Sequence, residues 1–148
     1  MSRKYSPFIS FIKQKILTMY RIPTITKNLL IINVLMFFAT WVFGRRGVDL
    51  NELLGLHFFL ASDFGLYQLF TYMFMHAGFM HIFLNMLMLW MFGCVVENVW
   101  GPRKFLFYYI ACGVGAGVLQ MVAQFGEFYF LAADQIPGFG IGNVMEVA

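Results

Sequence analysis

Three stretches without a charged side chain, residues 28–44, 64–96 and 105–126, constrain this chain more than anything else in it. They hold 17, 33 and 22 residues, and about 20 apolar residues in a helix cross the hydrocarbon core of a bilayer. The first and third therefore each read as one crossing. The second is longer than a straight crossing needs, so it divides. Gly78 and the polar residues His76 and His81 mark the break, which predicts a spanning helix over about 80–96 and, before it, an apolar membrane-associated loop. The expected fold is all-α: a polytopic membrane helical bundle with helices at about 28–44, 80–96 and 105–126. Composition agrees, because 61% of the residues are apolar and 11% charged, against about 45–50% and 25% in soluble domains. A water-soluble shell built from so few charges would leave large apolar patches exposed. No small-x-small cleavage site follows the first stretch, so it reads as a spanning helix and not as a signal peptide.

Charge distribution supplies an orientation. Arg3, Lys4, Lys13, Lys15, Arg21 and Lys27 precede the first crossing with no acid among them, and Arg103 and Lys104 lie between the second and third. Glu127, Asp134 and Glu146 follow the third with no Lys or Arg. Under the positive-inside rule this predicts a cytoplasmic N-terminus and three crossings, with an external loop at 45–79 and an external tail at 127–148. In a bacterium the expected location is the plasma (inner) membrane. Arg45 and Arg46, on the loop, are the mild dissent. The basic segment 1–27 includes Phe8, Ile9, Phe11, Ile12, Ile16, Met19 and Tyr20 at roughly helical spacing, so it reads either as a surface-lying amphipathic helix or as a partly ordered tail. The hydrophobic run that follows makes nucleic acid a poor partner for these charges; the partner is membrane lipid. Cys94 and Cys112 lack CxxC spacing, and neither a metal nor an organic cofactor is expected. Gly113 and Gly117 form a GxxxG pair, which permits close helix contact.

Polar groups inside membrane helices are costly and are functional candidates by default. On the second crossing these are His81 and Asn85, four residues apart and so on one helical face, with Glu97 at the far end. The ordered set Thr71, Phe74, His76, then HxxxN at His81 and Asn85, then Gly93, Glu97, Gly101, Arg103 and Phe105 resembles the rhomboid family of intramembrane serine proteases. The resemblance spans roughly Pro23 to Phe125. It implies a six-helix catalytic bundle that cleaves transmembrane protein substrates, with a GxSG serine and a histidine base on later helices. It implies that the Asn85 amide donates to the developing oxyanion, with His81 beside it, and that His76 supports the site. An amide suits this role because it stays a neutral donor at low dielectric. Thr71, Gly93, Glu97, Gly101 and Arg103 are implied as structural positions of the family.

Two departures from the pattern stand out. The family often has Trp-Arg where this chain has Tyr67-Gln68. More important, the serines are Ser2, Ser6, Ser10 and Ser62, no histidine follows His81, and the glycine-rich run Gly138–Gly142 contains no serine. Three of the six crossings are present, so the chain is expected to carry one wall of a serine-protease site and to be inactive as it stands, as a truncated coding sequence or a pseudoenzyme would be. Ser62, Asp63 and His57 supply the residue types of a triad, but no oxyanion donor can be placed beside them. A half-bundle is expected to leave His81, Asn85 and Glu97 facing lipid unless another chain covers them. Two other readings compete. One is a non-catalytic rhomboid-like protein that binds transmembrane clients. The other is a copper(I) site built from Met73, Met75, Met80, Met86, Met88 and Met91 with His76 and His81; against it, Met86 and Met88 are expected on different sides of their helix.

Overall fold

The computed structural model describes residues 7–11, 21–136, 140, 142 and 144. Among the described residues it is helical throughout, without strands. The elements are α1 (Thr24–Gly44), α2 (Leu50–Leu54), α3 (Gln68–Thr71), a 3₁₀ turn (Tyr72–Phe74), α4 (Phe79–Trp100) and α5 (Pro102–Gln135). Helices α1, α4 and α5 are long and apolar enough to cross a membrane, and no more than 17% of any of these spans is buried inside the protein. Their apolar side chains point outward, as lipid-facing residues do. Residues 7–11 of the amphipathic segment are helical, while 12–20 lie outside the described residues. The Gly138–Gly142 run is likewise mostly outside them.

Helix α1 begins at Thr24, four residues before the expected start at 28, and the reason is Glu97. The first N–H groups of a helix have no partner within it and carry the positive end of its dipole. Pro23 precedes α1 and offers no side-chain cap. The Glu97 carboxylate, from the last turn of α4, does so instead: one oxygen accepts from the Ile25 N–H at 2.9 Å, and the other from the Thr26 N–H at 2.7 Å and the Thr26 hydroxyl at 2.8 Å. Thr26 is fully buried and Glu97 is 4% exposed. The expectation that Glu97 would face lipid is thus overturned, since its charge is spent inside the protein on a helix start. One turn earlier, a Cβ at Gly93 would meet Thr26 Oγ1 at 3.1 Å and Cγ2 at 3.2 Å, so this glycine is what lets α1 come close enough for the cap.

Gly101 joins α4 to α5 at φ +82°, in the left-handed region that favours glycine, and Pro102 opens the next helix, where its missing N–H costs nothing. Helix α5 then runs 34 residues to Gln135, nine beyond the expected end at 126. At 1.5 Å per residue that is about 51 Å, well over the roughly 30 Å hydrocarbon core. Its charge-free portion, 105–126, matches one crossing, and the ends bearing Arg103, Lys104, Glu127 and Asp134 extend past it. Loss of apolar character marks where a helix leaves the bilayer, not where it stops being helical.

The GxxxG pair on α5 serves a different contact from the one expected. Gly113 faces the Met73 side chain, and a Cβ on Gly117 would meet the Tyr72 ring at 3.0 Å and Leu69 at 3.3 Å. The small residues admit the loop preceding α4, and Tyr72 fixes the contact by donating its hydroxyl to the Gly113 carbonyl at 2.6 Å.

These contacts give a stability test. Replacing Glu97 with Ala leaves two N–H groups and a hydroxyl without their charged acceptor, and E97A is expected to lose about 3 kcal/mol. E97Q keeps an acceptor oxygen and should lose roughly 1 kcal/mol. Denaturant titration in detergent measures both; equal unfolding midpoints for E97A and the unaltered chain would contradict the cap.

Candidate functional site

The site is assembled by the loop and the first half of α4. Thr71 donates its hydroxyl to the Leu54 carbonyl at 2.7 Å, and Tyr67 donates to the Leu53 carbonyl at 2.9 Å, so α3 is tied to the end of α2. Gln68 is 1% exposed; its carboxamide accepts from the His57 N–H at 3.2 Å and donates to the Asp63 carbonyl at 3.0 Å. In the sequence Gln68 stands out only as half of the Tyr67-Gln68 departure, and the one signal for its role is an amide in an otherwise apolar run. The chain is thereby led through the 3₁₀ turn to His76, just ahead of α4.

His76 is 4% exposed, and its Nδ1 lies 3.2 Å from the Phe74 carbonyl. Its ring centroid is 5.2 Å from that of His81, with the planes tilted by 59°. His81 and Asn85 follow on the same face of α4, and both are exposed. Asn85 borders a cavity of about 450 Å³ between α4, α5 and the 3₁₀ turn. Other residues of the ordered set hold the scaffold: Thr71 ties the loop, Gly93 and Glu97 seat α1, and Gly101 makes the α4–α5 turn. Arg103 is exposed on the first turn of α5, beside a groove with Trp100 and Phe107.

Met73, Met86, Met88 and Cys112 share the Asn85 cavity, whereas neither His76 nor His81 borders it. Met86 and Met88, expected on different sides of the helix, both reach this cavity because the long thioether side chain bends around neighbours; Met86 also borders a groove beside Leu30. His57 pairs with Asp63, but Ser62 is exposed and, among the described residues, makes no hydrogen bond to either. A second unanticipated polar residue is Asn33 on α1, 1% exposed, with its amide donating to the Leu29 carbonyl at 2.8 Å and its Oδ1 unpaired.

Burial holds the His76 pKa below its ordinary value of 6.5; the nearby His81 acts in the same direction, and the Phe74 carbonyl opposes them. The folded protein therefore keeps this ring neutral in a range where the unfolded chain would protonate it. Stability from this residue is complete above about pH 6.5 and falls as the pH drops below that value toward the folded pKa. Unfolding midpoints recorded between about pH 7 and 5 should decline with acid, and H76Q should flatten that decline. An equally steep decline in H76Q would remove His76 as its source.

Comparison with known proteins agrees with this arrangement. The family model for the Rhomboid domain matches residues 63–133. Rhomboid protease GluP of Bacillus subtilis (strain 168) is 31% identical over 106 residues, which take in 68% of this chain and 20% of that protein. The chain thus spans about a fifth of the length of the curated relative it matches. No solved structure gives a significant match. The family match begins ahead of α3 and ends close to the end of α5, so it takes in residues 127–133, which the sequence reading had set outside the resemblance. A partial rhomboid domain, containing the loop, the HxxxN helix and the helix packed against it, places this chain in the rhomboid family.

Proposed function

We propose that this chain, an integral membrane protein, carries the oxyanion-stabilising side of a rhomboid-type intramembrane serine endopeptidase. The observation that carries the reading is the placement of Asn85: its amide is one turn along α4 from His81 and borders the cavity between α4 and α5. In this reading the amide donates to the oxyanion formed when a serine attacks a peptide carbonyl, and His81 donates beside it or orients it. Buried His76 positions His81. Removing one such donor typically costs about 100- to 1,000-fold in kcat. The substrates are transmembrane proteins that reach the site from the lipid.

The residues present offer no GxSG serine and no histidine after His81, so these 148 residues do not hydrolyse peptides by themselves. Other polypeptide, supplying nucleophile and base, covers the exposed face that holds His81 and Asn85. The charge pattern supports an N-terminus in the cytoplasm and loop 45–79 outside. Single cysteines placed at loop position 62 and at position 2 report this in whole cells: an impermeant maleimide should label the first only, and the opposite pattern reverses the orientation.

Two measurements test the chemistry. A fluorophosphonate probe should leave the 148-residue chain unlabelled, and labelling would overturn the assignment of the nucleophile to other polypeptide. When the chain is co-expressed with a rhomboid fragment bearing the serine and histidine helices, cleavage of a transmembrane reporter should appear and fall about 100-fold or more in N85A. Client binding without chemistry gives no cleavage in that assay and no dependence on Asn85.

A further inference from the structure

The loop between α1 and α3 contains a side-chain cluster that the protease reading leaves unused. Glu52 on α2, His57 and Asp63 each offer one ligand atom, and these atoms all lie within 4.8 Å of one another. His57 Nδ1 and Asp63 Oδ2 are paired directly. A histidine and one carboxylate would satisfy each other without help. The second carboxylate, Glu52, brings a third ligand atom to the same point, which the His57–Asp63 pair alone does not call for.

The ligand-bearing backbone is also held in place. Gln68, wholly buried, bonds the His57 N–H and the Asp63 carbonyl through opposite ends of one carboxamide, so it sets the separation of these two residues. Glu52 lies on a helix whose start is capped by the Asp49 carboxylate at 2.8 Å from the Asn51 N–H, and whose end is tied to Tyr67 and Thr71. Phe58 and Phe59, between the ligands, rest against α5 with ring centroids 6.0 Å from Phe128 and 5.9 Å from Phe125.

We propose that Glu52, His57 and Asp63 form a site for a divalent transition-metal ion, of which zinc is the best match, with water completing the coordination. An imidazole with two carboxylates suits zinc and its first-row neighbours better than calcium or magnesium, which take all-oxygen sets. Zinc bonds of about 2.0–2.2 Å place tetrahedral ligand atoms about 3.4 Å apart. The 4.8 Å limit on the present separations leaves the two exposed carboxylates a closing movement of little more than about 1 Å to make on binding. The ion would join α2 to the 57–63 segment and stiffen the loop that leads into α3. This site is separate from Asn85 and His81, and its test needs no proteolytic activity.

Chelator-competition titration of the full chain in mild detergent, with Zn²⁺ alone, should show one zinc per chain, and calcium should not compete. E52Q and D63N should each weaken zinc binding by at least about tenfold. E52Q leaves the His57–Asp63 pair intact, so its metal-free unfolding midpoint should match that of the unaltered chain. In unpurified membranes, zinc should slow proteolysis within 45–67 for the unaltered chain and not for E52Q. Failure to retain zinc, equal zinc binding in E52Q, or cleavage indifferent to zinc would each overturn the site.

Discussion

The Glu97 carboxylate on the first turn of α1 is the contact on which the arrangement of the spanning helices depends. A helix that starts near a membrane surface must find acceptors for its first N–H groups, and water, a side-chain cap or a neighbouring helix can provide them. Here the neighbour provides them with a full negative charge, at the end of the dipole where it is most favourable. Because the acceptor sits in the last turn of α4, the cap also fixes α1 against α4 and sets their relative height. Gly93 makes this close approach easy, since a Cβ there would press on Thr26 at 3.1–3.2 Å and push it away from Glu97 by a few tenths of an ångström. The two residues are one turn apart on α4 and work as a single device.

The face of α4 proposed as the site follows from that placement. With α1 seated against α4, and with α5 turned back sharply at Gly101, the remaining side of α4 leaves His81 and Asn85 exposed, Asn85 at the cavity. The loop reaches the same end of the bundle from α1. It is stitched by Gln68, Thr71 and Tyr67 to its own earlier residues and by Tyr72 to Gly113, so His76 arrives beside His81 by a path fixed at each step. Polar side chains that look scattered along the sequence are mostly structural clamps, and they bring His76 beside the HxxxN helix.

How much of this was legible in the sequence depends on whether a residue's partner was local. The three crossings were legible because apolar runs free of charge need no partner to be recognised, and HxxxN was legible because its spacing is that of one helical turn. Glu97 was recognised as a position but not as a cap, since its partners Ile25 and Thr26 are 72 and 71 residues away and lay in a segment read as a basic flank. Gln68 and Asn33 escaped for a different reason, since their partners lie only 4 to 11 residues away: an isolated amide in an apolar run does not announce which backbone groups it will hold. The end of α5 was misjudged because charge reports on the bilayer boundary and says nothing about helical hydrogen bonding, which continues into water.

In the role proposed for it, Asn85 needs the space in front of it to be closed. An amide donor facing water or mobile lipid is shared with other acceptors, and its dipole is screened; held in a dry cleft, the same dipole acts on a developing oxyanion at close to full strength. The structure supplies two of the walls, α4 and α5, and leaves Asn85 exposed between them. A neutral donor is well suited to such a position, because exposing it costs far less than exposing an ion. The ionised group on the same helix, Glu97, is the one that the fold buries and pairs. The division of labour along α4 follows from charge: its carboxylate is consumed in holding the helices together, and its uncharged amide is left available for the reaction proposed here.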